Sequence, residues 1–140
     1  MKNINMLLLD TNIVSFIFKG DSRINDYKPY LKGNGFAISF MTVAELFQWT
    51  MVRKWGNRRI KKMEAEIKKY LVLPFDFEVC RLWGAVRSEC QSVGHPISAQ
   101  DAWIAATALQ HDLPIVTHNP SDFEPVNELE IITIIGKINS

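Results

Sequence analysis

Met6-Leu7-Leu8-Leu9-Asp10-Thr11-Asn12 is the stretch whose reading decides the fold. Four apolar residues stop abruptly on an acid and two turn-forming residues. A short, wholly apolar run bounded this way reads as a strand buried on both faces, because a strand with one wet face would alternate apolar and polar. The same pattern recurs at residues 36–40 after the turn Gly33-Asn34-Gly35, at Leu71-Val72-Leu73 before Pro74, at Pro114-Ile115-Val116-Thr117 and at residues 131–135.

Between these runs the apolar period changes to that of a helix. Residues 11–18 carry Ile13, Val14, Phe16, Ile17 and Phe18 and stop at Gly20. Residues 22–32 form a weak helix interrupted by Pro29. A long helix opens at Thr42, with Val43, Leu46, Phe47, Thr50 and Met51 at helical spacing; Gly56-Asn57 breaks it, and a charged helix resumes over 58–70. Residues 76–93 put Val79, Leu82, Trp83 and Val86 on one stripe. Ser98 caps an alanine-rich helix from 99 to about 111, which can lie close to a sheet. Helices alternating with buried strands argue for an α/β fold, a parallel sheet covered on both faces.

The chain has 140 residues and 47% apolar composition, which fits one domain spanning 1–140 with a real core. No repeat, low-complexity tract or linker divides it. The net charge of +1 names no partner. Cys80 and Cys90 lie ten residues apart on one expected helix, a rise of roughly 15 Å, too far for a disulfide. Reduced thiols, no span of membrane length and no signal-like apolar stretch at the N-terminus make a soluble cytoplasmic protein the expectation. There is no dinucleotide or phosphate-binding glycine loop, no nucleophile elbow and no zinc pattern.

Four acids stand at segment ends. Asp10 ends the first strand, Glu45 lies one turn into the helix after the second, Asp101 is in the first turn of the helix before the fourth, and Asp122 is in the loop after the fourth. Each taken alone reads well as structure. Asp10 can cap a helix, Glu45 completes a capping box with Thr42, Asp101 holds the same position after Ser98, and Asp122 can hold a turn. Open parallel sheets bind ligands at the carboxyl ends of their strands, and four stray caps have no reason to converge there. Converging carboxylates repel, and a divalent cation is the natural thing to hold them together. Asn12, Thr117 and Asn119 stand beside them and either orient the acids or serve the turns.

Taken together, these segments resemble the PIN-domain family, and most closely its VapC-like toxins. The likeness rests on Leu8-Leu9-Asp10-Thr11-Asn12, Thr42-Val43-Ala44-Glu45-Leu46, the run from Ser98 through Asp101 to Ala108, and the run from Leu113 to Phe123, in that order and spacing. The resemblance implies a three-layer α/β/α architecture, bound Mg²⁺ or Mn²⁺ and endonucleolytic hydrolysis of RNA. It implies that Asp10 and Asp101 are direct metal ligands, that Glu45 completes the set or serves a second ion, and that Asp122 takes a fourth place that family members otherwise fill at the position of Asn119. Such an ion acidifies water and stabilises charge on phosphorus. The resemblance further implies homodimers, an antitoxin partner of the VapB type and inhibition of translation or growth. The rival readings are a non-catalytic RNA- or protein-binding module of the same fold, and an RNA-processing nuclease without an antitoxin.

An acidic site needs positive help to hold a polyanion. Arg53, Lys54, Arg58, Arg59, Lys61, Lys62, Lys68 and Lys69 make up half of the sixteen Lys and Arg, opposed locally only by Glu64 and Glu66. Arg53 through Lys62 are the candidate RNA contacts, with Trp49 and Trp55 near enough to stack on bases. A solvated helix face with two core tryptophans, or a surface for a protein partner, explains the same run.

Overall fold

The computed structural model describes residues 5–136. Five short strands, β1 (Met6–Leu9), β2 (Gly35–Ser39), β3 (Leu71–Leu73), β4 (Ile115–Val116) and β5 (Ile131–Ile132), form one sheet in the order β3-β2-β1-β4-β5. Every pairing is parallel. Around it pack α1 (Thr11–Lys19), α2 (Lys28–Leu31), α3 (Phe40–Val52), α4 (Asn57–Ile67), α5 (Phe77–Ser92) and α6 (Ala99–Gln110), with 3₁₀ turns at Ser22–Asp26 and Pro120–Asp122.

The strands alternate faces, and two cores result. Leu7, Leu9, Ile38 and Val116 face Ile13, Val14 and Phe16 of α1, Leu46 of α3 and Met63 of α4. Leu8, Ala37 and Ile115 face the other way, onto Val86 and Cys90 of α5 and Ala102, Ala105 and Ala108 of α6. The small alanines let α6 approach the sheet. Each leucine of β1 is buried, worth roughly 2 kcal/mol per side chain in apolar transfer. The three-layer α/β/α arrangement is therefore present, and the all-apolar reading of β1 follows from its being sandwiched.

The chain departs from β1 to one side through β2 and β3, and to the other through β4 and β5. The order reverses between β1 and β4, and the carboxyl ends of these two strands flank the crevice where such sheets bind ligands.

Several sequence expectations are corrected. Residues 22–32 do not form one helix broken by Pro29. A 3₁₀ turn ends before Tyr27, and Pro29 sits in the first turn of α2, where its missing N–H costs nothing. The α3 helix begins at Phe40 with Ser39 as its cap, so Thr42 and Glu45 are not a capping box. The strand expected over 131–135 ends at Ile132, because the Thr133 hydroxyl draws the Ile135 N–H into a turn at 3.1 Å. The charged helix spans Asn57–Ile67 rather than 58–70. Gly20, at φ 64°, closes α1 in the left-handed conformation that glycine adopts freely. Cys80 and Cys90 both lie on α5 and both are free thiols.

Candidate functional site

Asp10 leaves β1 at the point where the strand order reverses. Its N–H still donates to Val116 O at 2.9 Å, so the residue is fixed by the sheet before its side chain does anything. Oδ1 accepts the Thr11 N–H at 2.8 Å, which makes Asp10 the cap of α1, and Oδ2 accepts the Thr117 hydroxyl at 2.7 Å. The residue is 6% exposed.

Glu45 reaches the same edge from α3. Its Oε1 accepts the Thr11 hydroxyl at 2.9 Å, and that hydroxyl also lies 2.9 Å from the Thr42 hydroxyl. Thr11 thus stands between Asp10 and Glu45 with its N–H on one acid and its hydroxyl on the other. Thr42 is fully buried and supports this contact instead of capping its own helix.

Asp101 lies in the first turn of α6, and α6 starts at the same edge. Ser98 Oγ accepts the Asp101 N–H at 3.1 Å, and the Trp83 indole donates to Ala99 O at 3.1 Å. Trp83 and Trp103 stack at 4.9 Å and 21°, which pins the start of α6 against α5. Asp122 ends the 3₁₀ turn after β4 and is exposed.

Burial raises the Asp10 carboxyl from the ordinary 3.8 to about 7; the Thr117 and Thr11 hydrogen bonds pull it down, and the charges of Asp101 and Glu45 push it further up. Burial also raises Glu45, opposed by the Thr11 hydroxyl and reinforced by Asp101. Asp101 is raised by burial and then by Asp122, with Ser98 opposing. Asp10, Glu45 and Asp101 therefore lie within one another's field, and Asp122 joins through Asp101. Among the described residues, no three His, Cys, Asp or Glu side chains close to ion-holding distance. Like charges keep apart, and Asp10 and Glu45 rest against threonine hydroxyls meanwhile. The donor set is nonetheless carboxylate, hydroxyl and amide oxygen only, which suits a hard divalent cation such as Mg²⁺ or Mn²⁺ and not a soft one.

The neighbours are placed as follows. Thr117 is fully buried, and its Oγ1 accepts the Asn119 N–H at 3.0 Å while donating to Asp10. Asn12 Oδ1 accepts the His118 N–H at 3.3 Å. Asn119 is exposed, and its C=O accepts the Asp122 N–H at 3.1 Å. Sequence reasoning missed Thr11 and Thr42 as carboxylate supports, and it missed Tyr27. Tyr27 is fully buried, and its hydroxyl lies 2.7 Å from His118 Nδ1 and 3.3 Å from Thr117 O. Burial, and then Arg23, lower the His118 pKa, with Asp21 opposing. Only the Thr-Asn pair directly after Asp10 hinted at Thr11; nothing in the sequence marked Tyr27.

The basic run is not among the acids. Arg53, Lys54, Arg58, Arg59, Lys61 and Lys62 are exposed around the end of α3 and the start of α4. Asp10 sits at the opposite end of α1, and Glu45 lies midway along α3, about two turns before Arg53. Trp49 and Trp55 are half-buried against the core and carry cations: Arg53 lies 5.2 Å from the Trp49 ring centroid and Arg59 3.9 Å from that of Trp55. No helix among the described residues is long and apolar enough to cross a membrane.

Comparison with known proteins meets this geometry. The chain is 31% identical over 135 residues to the VapC ribonuclease Y4jK of Sinorhizobium fredii, covering 91% of this chain and 96% of that one. It is 30% identical to the tRNA(fMet)-specific endonuclease VapC of Shigella flexneri, covering 87% and 92%. The fold superposes with TM-score 0.78 and 25% identity on a chain of VapBC2 from Rickettsia felis bound to a DNA fragment from its promoter, covering 91% and 98%. It superposes with TM-score 0.75 and 28% identity on a chain of FitAcB from Neisseria gonorrhoeae, covering 91% and 96%. Residues 7–129 match the PIN domain, a stretch that runs from β1 almost to β5 and takes in all four acids, and the chain therefore belongs to the PIN-domain family.

Proposed function

We propose that this chain is a divalent-cation-dependent endoribonuclease and the toxin half of a toxin–antitoxin pair. The observation that carries the reading is Asp10: a buried carboxylate at the point of strand-order reversal, held by Thr11 and Thr117, in the field of Glu45 and Asp101. Structural caps do not need to be buried together. The names of the relatives, VapC ribonucleases and endonucleases, support RNA as the substrate.

Asp10 and Asp101 would hold the ion directly, Glu45 would complete the set after turning from Thr11, and Asp122 would approach from the exposed side. When bound, Mg²⁺ or Mn²⁺ supplies a Lewis acid that makes water a better nucleophile at neutral pH and offsets charge gathering on phosphorus. The chain's part is to present ionised carboxylates in fixed orientation. Thr117 fixes the plane of the Asp10 carboxylate, and Thr11 sets the spacing between Asp10 and Glu45. The basic run at α3 and α4 would hold the RNA backbone away from the cut. No side chain is needed as general base.

The partner in this reading is an antitoxin, since solved relatives are toxin–antitoxin complexes. A homodimer belongs to it as well: Leu71 and Val72 on edge strand β3, with Phe75 and Phe77, are exposed apolar side chains. The rival reading is a non-catalytic RNA- or protein-binding module of the same fold.

One assay separates the two. Purified protein is incubated with structured RNAs and Mg²⁺, with and without EDTA, beside Asp10→Asn and Asp101→Asn variants. Cleavage that needs Mg²⁺ and disappears in both variants is expected. Cleavage persisting in EDTA or in both variants would falsify the mechanism, and RNA bound but never cut would leave the binding module. Copurification with the product of a small adjoining reading frame tests the antitoxin.

A further inference from the structure

A pocket of about 420 Å³ opens between the end of α1 and the start of α4, lined by Phe18, Lys19, Arg58, Arg59 and Lys62. Four of its five lining residues are cations and none is an acid. The ion pairs among the described residues are Arg23–Asp21, Lys69–Glu66 and Arg81–Glu78, so none of the four is neutralised. Asp21, whose charge reaches Lys19, is taken by Arg23 through two side-chain hydrogen bonds.

Two of the four cations, Lys19 and Arg59, are held in place. Arg59 lies 3.9 Å from the centroid of Trp55, on which Phe18 stacks at 5.8 Å and 16°. Lys19 and Arg53 lie 6.0 and 5.2 Å from the centroid of Trp49. Indoles beneath cations restrict them and leave their N–H groups free for another acceptor. Partial burial and then the charges of Arg53 and Arg59 lower the Lys19 pKa, a mark of crowded like charge. The α4 helix itself gives no reason for this crowding. Arg58 and Arg59 stand in the first turn of α4, where the helix dipole disfavours cations, and no acid shares that turn.

We infer that this pocket is a phosphate subsite for the backbone of a single RNA strand whose scissile bond lies at the acids. The inference rests on the ribonuclease reading and adds a length to it. From Asp10 to Lys19 along α1 is nine residues, so α1 places the pocket roughly 13–14 Å from the acids. A stacked strand advances roughly 3.4 Å per nucleotide. The subsite is therefore reached by a strand running about four nucleotides beyond the cut, and a shorter flank misses it.

The test uses the full chain carrying Asp10→Asn, in EDTA, so that RNA is bound and not consumed. Labelled single strands of two lengths, one spanning about four or more nucleotides past the cut and one about two, are titrated by fluorescence anisotropy across a salt series. Two double variants are compared, Lys19→Gln/Arg59→Gln and Arg58→Gln/Lys62→Gln. The control is Lys32→Gln, an exposed lysine outside the pocket. The second pair leaves the Arg59–Trp55 stacking intact, and circular dichroism checks folding.

The expected result is a salt slope smaller by roughly 0.7 for each phosphate that the variant no longer neutralises, with about tenfold weaker binding of the long strand and unchanged binding of the short one. A pocket variant with the slope of the Lys32→Gln control overturns the subsite, and so does an equal loss for both lengths. Wild type that cuts RNA with Mg²⁺ while the slopes stay unchanged loses the subsite and keeps the nuclease. Wild type that binds with the expected slopes yet never cuts keeps the subsite and loses the nuclease.

Discussion

The Thr117 hydroxyl donates to Asp10 Oδ2 at 2.7 Å and so ties together two strand ends 107 residues apart in sequence. It also accepts the Asn119 N–H, so one hydroxyl joins the deepest acid to the turn that carries Asp122. Thr11 bridges Asp10 and Glu45 with its N–H on the first and its hydroxyl on the second. Hydroxyl and backbone N–H donors let these two threonines orient carboxylates without adding charge.

Thr117→Val keeps the branched shape and deletes the donor. Asp10 Oδ2 is then buried without its partner, at a cost of about 1–3 kcal/mol. The hydrogen bond lowers the Asp10 pKa, so its loss moves that pKa further up. Mn²⁺ affinity by calorimetry and RNA cleavage should both fall about 10–100-fold, as when other outer supports of a metal ligand are removed. Unchanged Mn²⁺ affinity would show that Thr117 serves the fold alone.

Raised carboxyls link folding to protons. A group whose folded pKa lies above its unfolded value stabilises fully below the unfolded pKa and loses that contribution as pH rises through the folded one. Asp10, Glu45 and Asp101 are all raised, Asp10 to about 7. Stability of the ion-free protein to urea should therefore decline as pH rises from about 4 to about 7, by on the order of a few kcal/mol from Asp10 alone. His118, held down, works the opposite way below its ordinary 6.5. The diagnostic is accordingly the difference between the parent and Asp10→Asn, which should narrow the decline and be the more stable at pH about 8. Mg²⁺ should restore the parent there and do little near pH 5. Parallel pH curves for parent and variant would contradict the linkage.

The sheet was legible because short apolar runs ended by turn residues alternate with helical stretches, and the ends of β1 and β2 then place Asp10 and Glu45, whereas Asp101 reaches that edge only through the start of α6. Hydroxyl assignments were not legible. The spacing of Thr42 and Glu45 fits a capping box, but β2 runs straight into α3, so the cap fell to Ser39 and freed both residues for Thr11. Strand β5 is short because Thr133 offers its backbone a turn. The basic run was visible as charge, but its place at the far ends of α1 and α3 depends on helix direction.

Ser39→Ala tests that reassigned cap. Its hydroxyl accepts the Met41 N–H at 3.1 Å and lies 3.2 Å from the buried Thr107 hydroxyl. The loss should be about 1–2 kcal/mol in urea unfolding with Mn²⁺ affinity retained. Thr42→Val should do the reverse, leaving the helix capped and weakening Mn²⁺ binding through Thr11. Equal stability losses with no change in ion affinity in either variant would restore the capping box.

Asp122 and Asn119 compete for the fourth place, and exposure decides the expected size of their effects. Asp122 is exposed and acts on the cluster through Asp101, so its charge is screened by solvent and salt. Asp122→Asn should weaken Mn²⁺ binding only about threefold, against a hundredfold or so for Asp10→Asn or Asp101→Asn. Asn119 stands nearer, since its N–H is bonded to the hydroxyl that holds Asp10. Asn119→Asp places a carboxylate beside that hydroxyl and should recover the ion affinity lost in Asp122→Asn. An Asp122→Asn loss as large as that of Asp10→Asn would instead mean that the 3₁₀ turn swings in and Asp122 binds the ion directly. In that case the Asn119→Asp charge would add repulsion and no affinity, so the same titration separates the two arrangements.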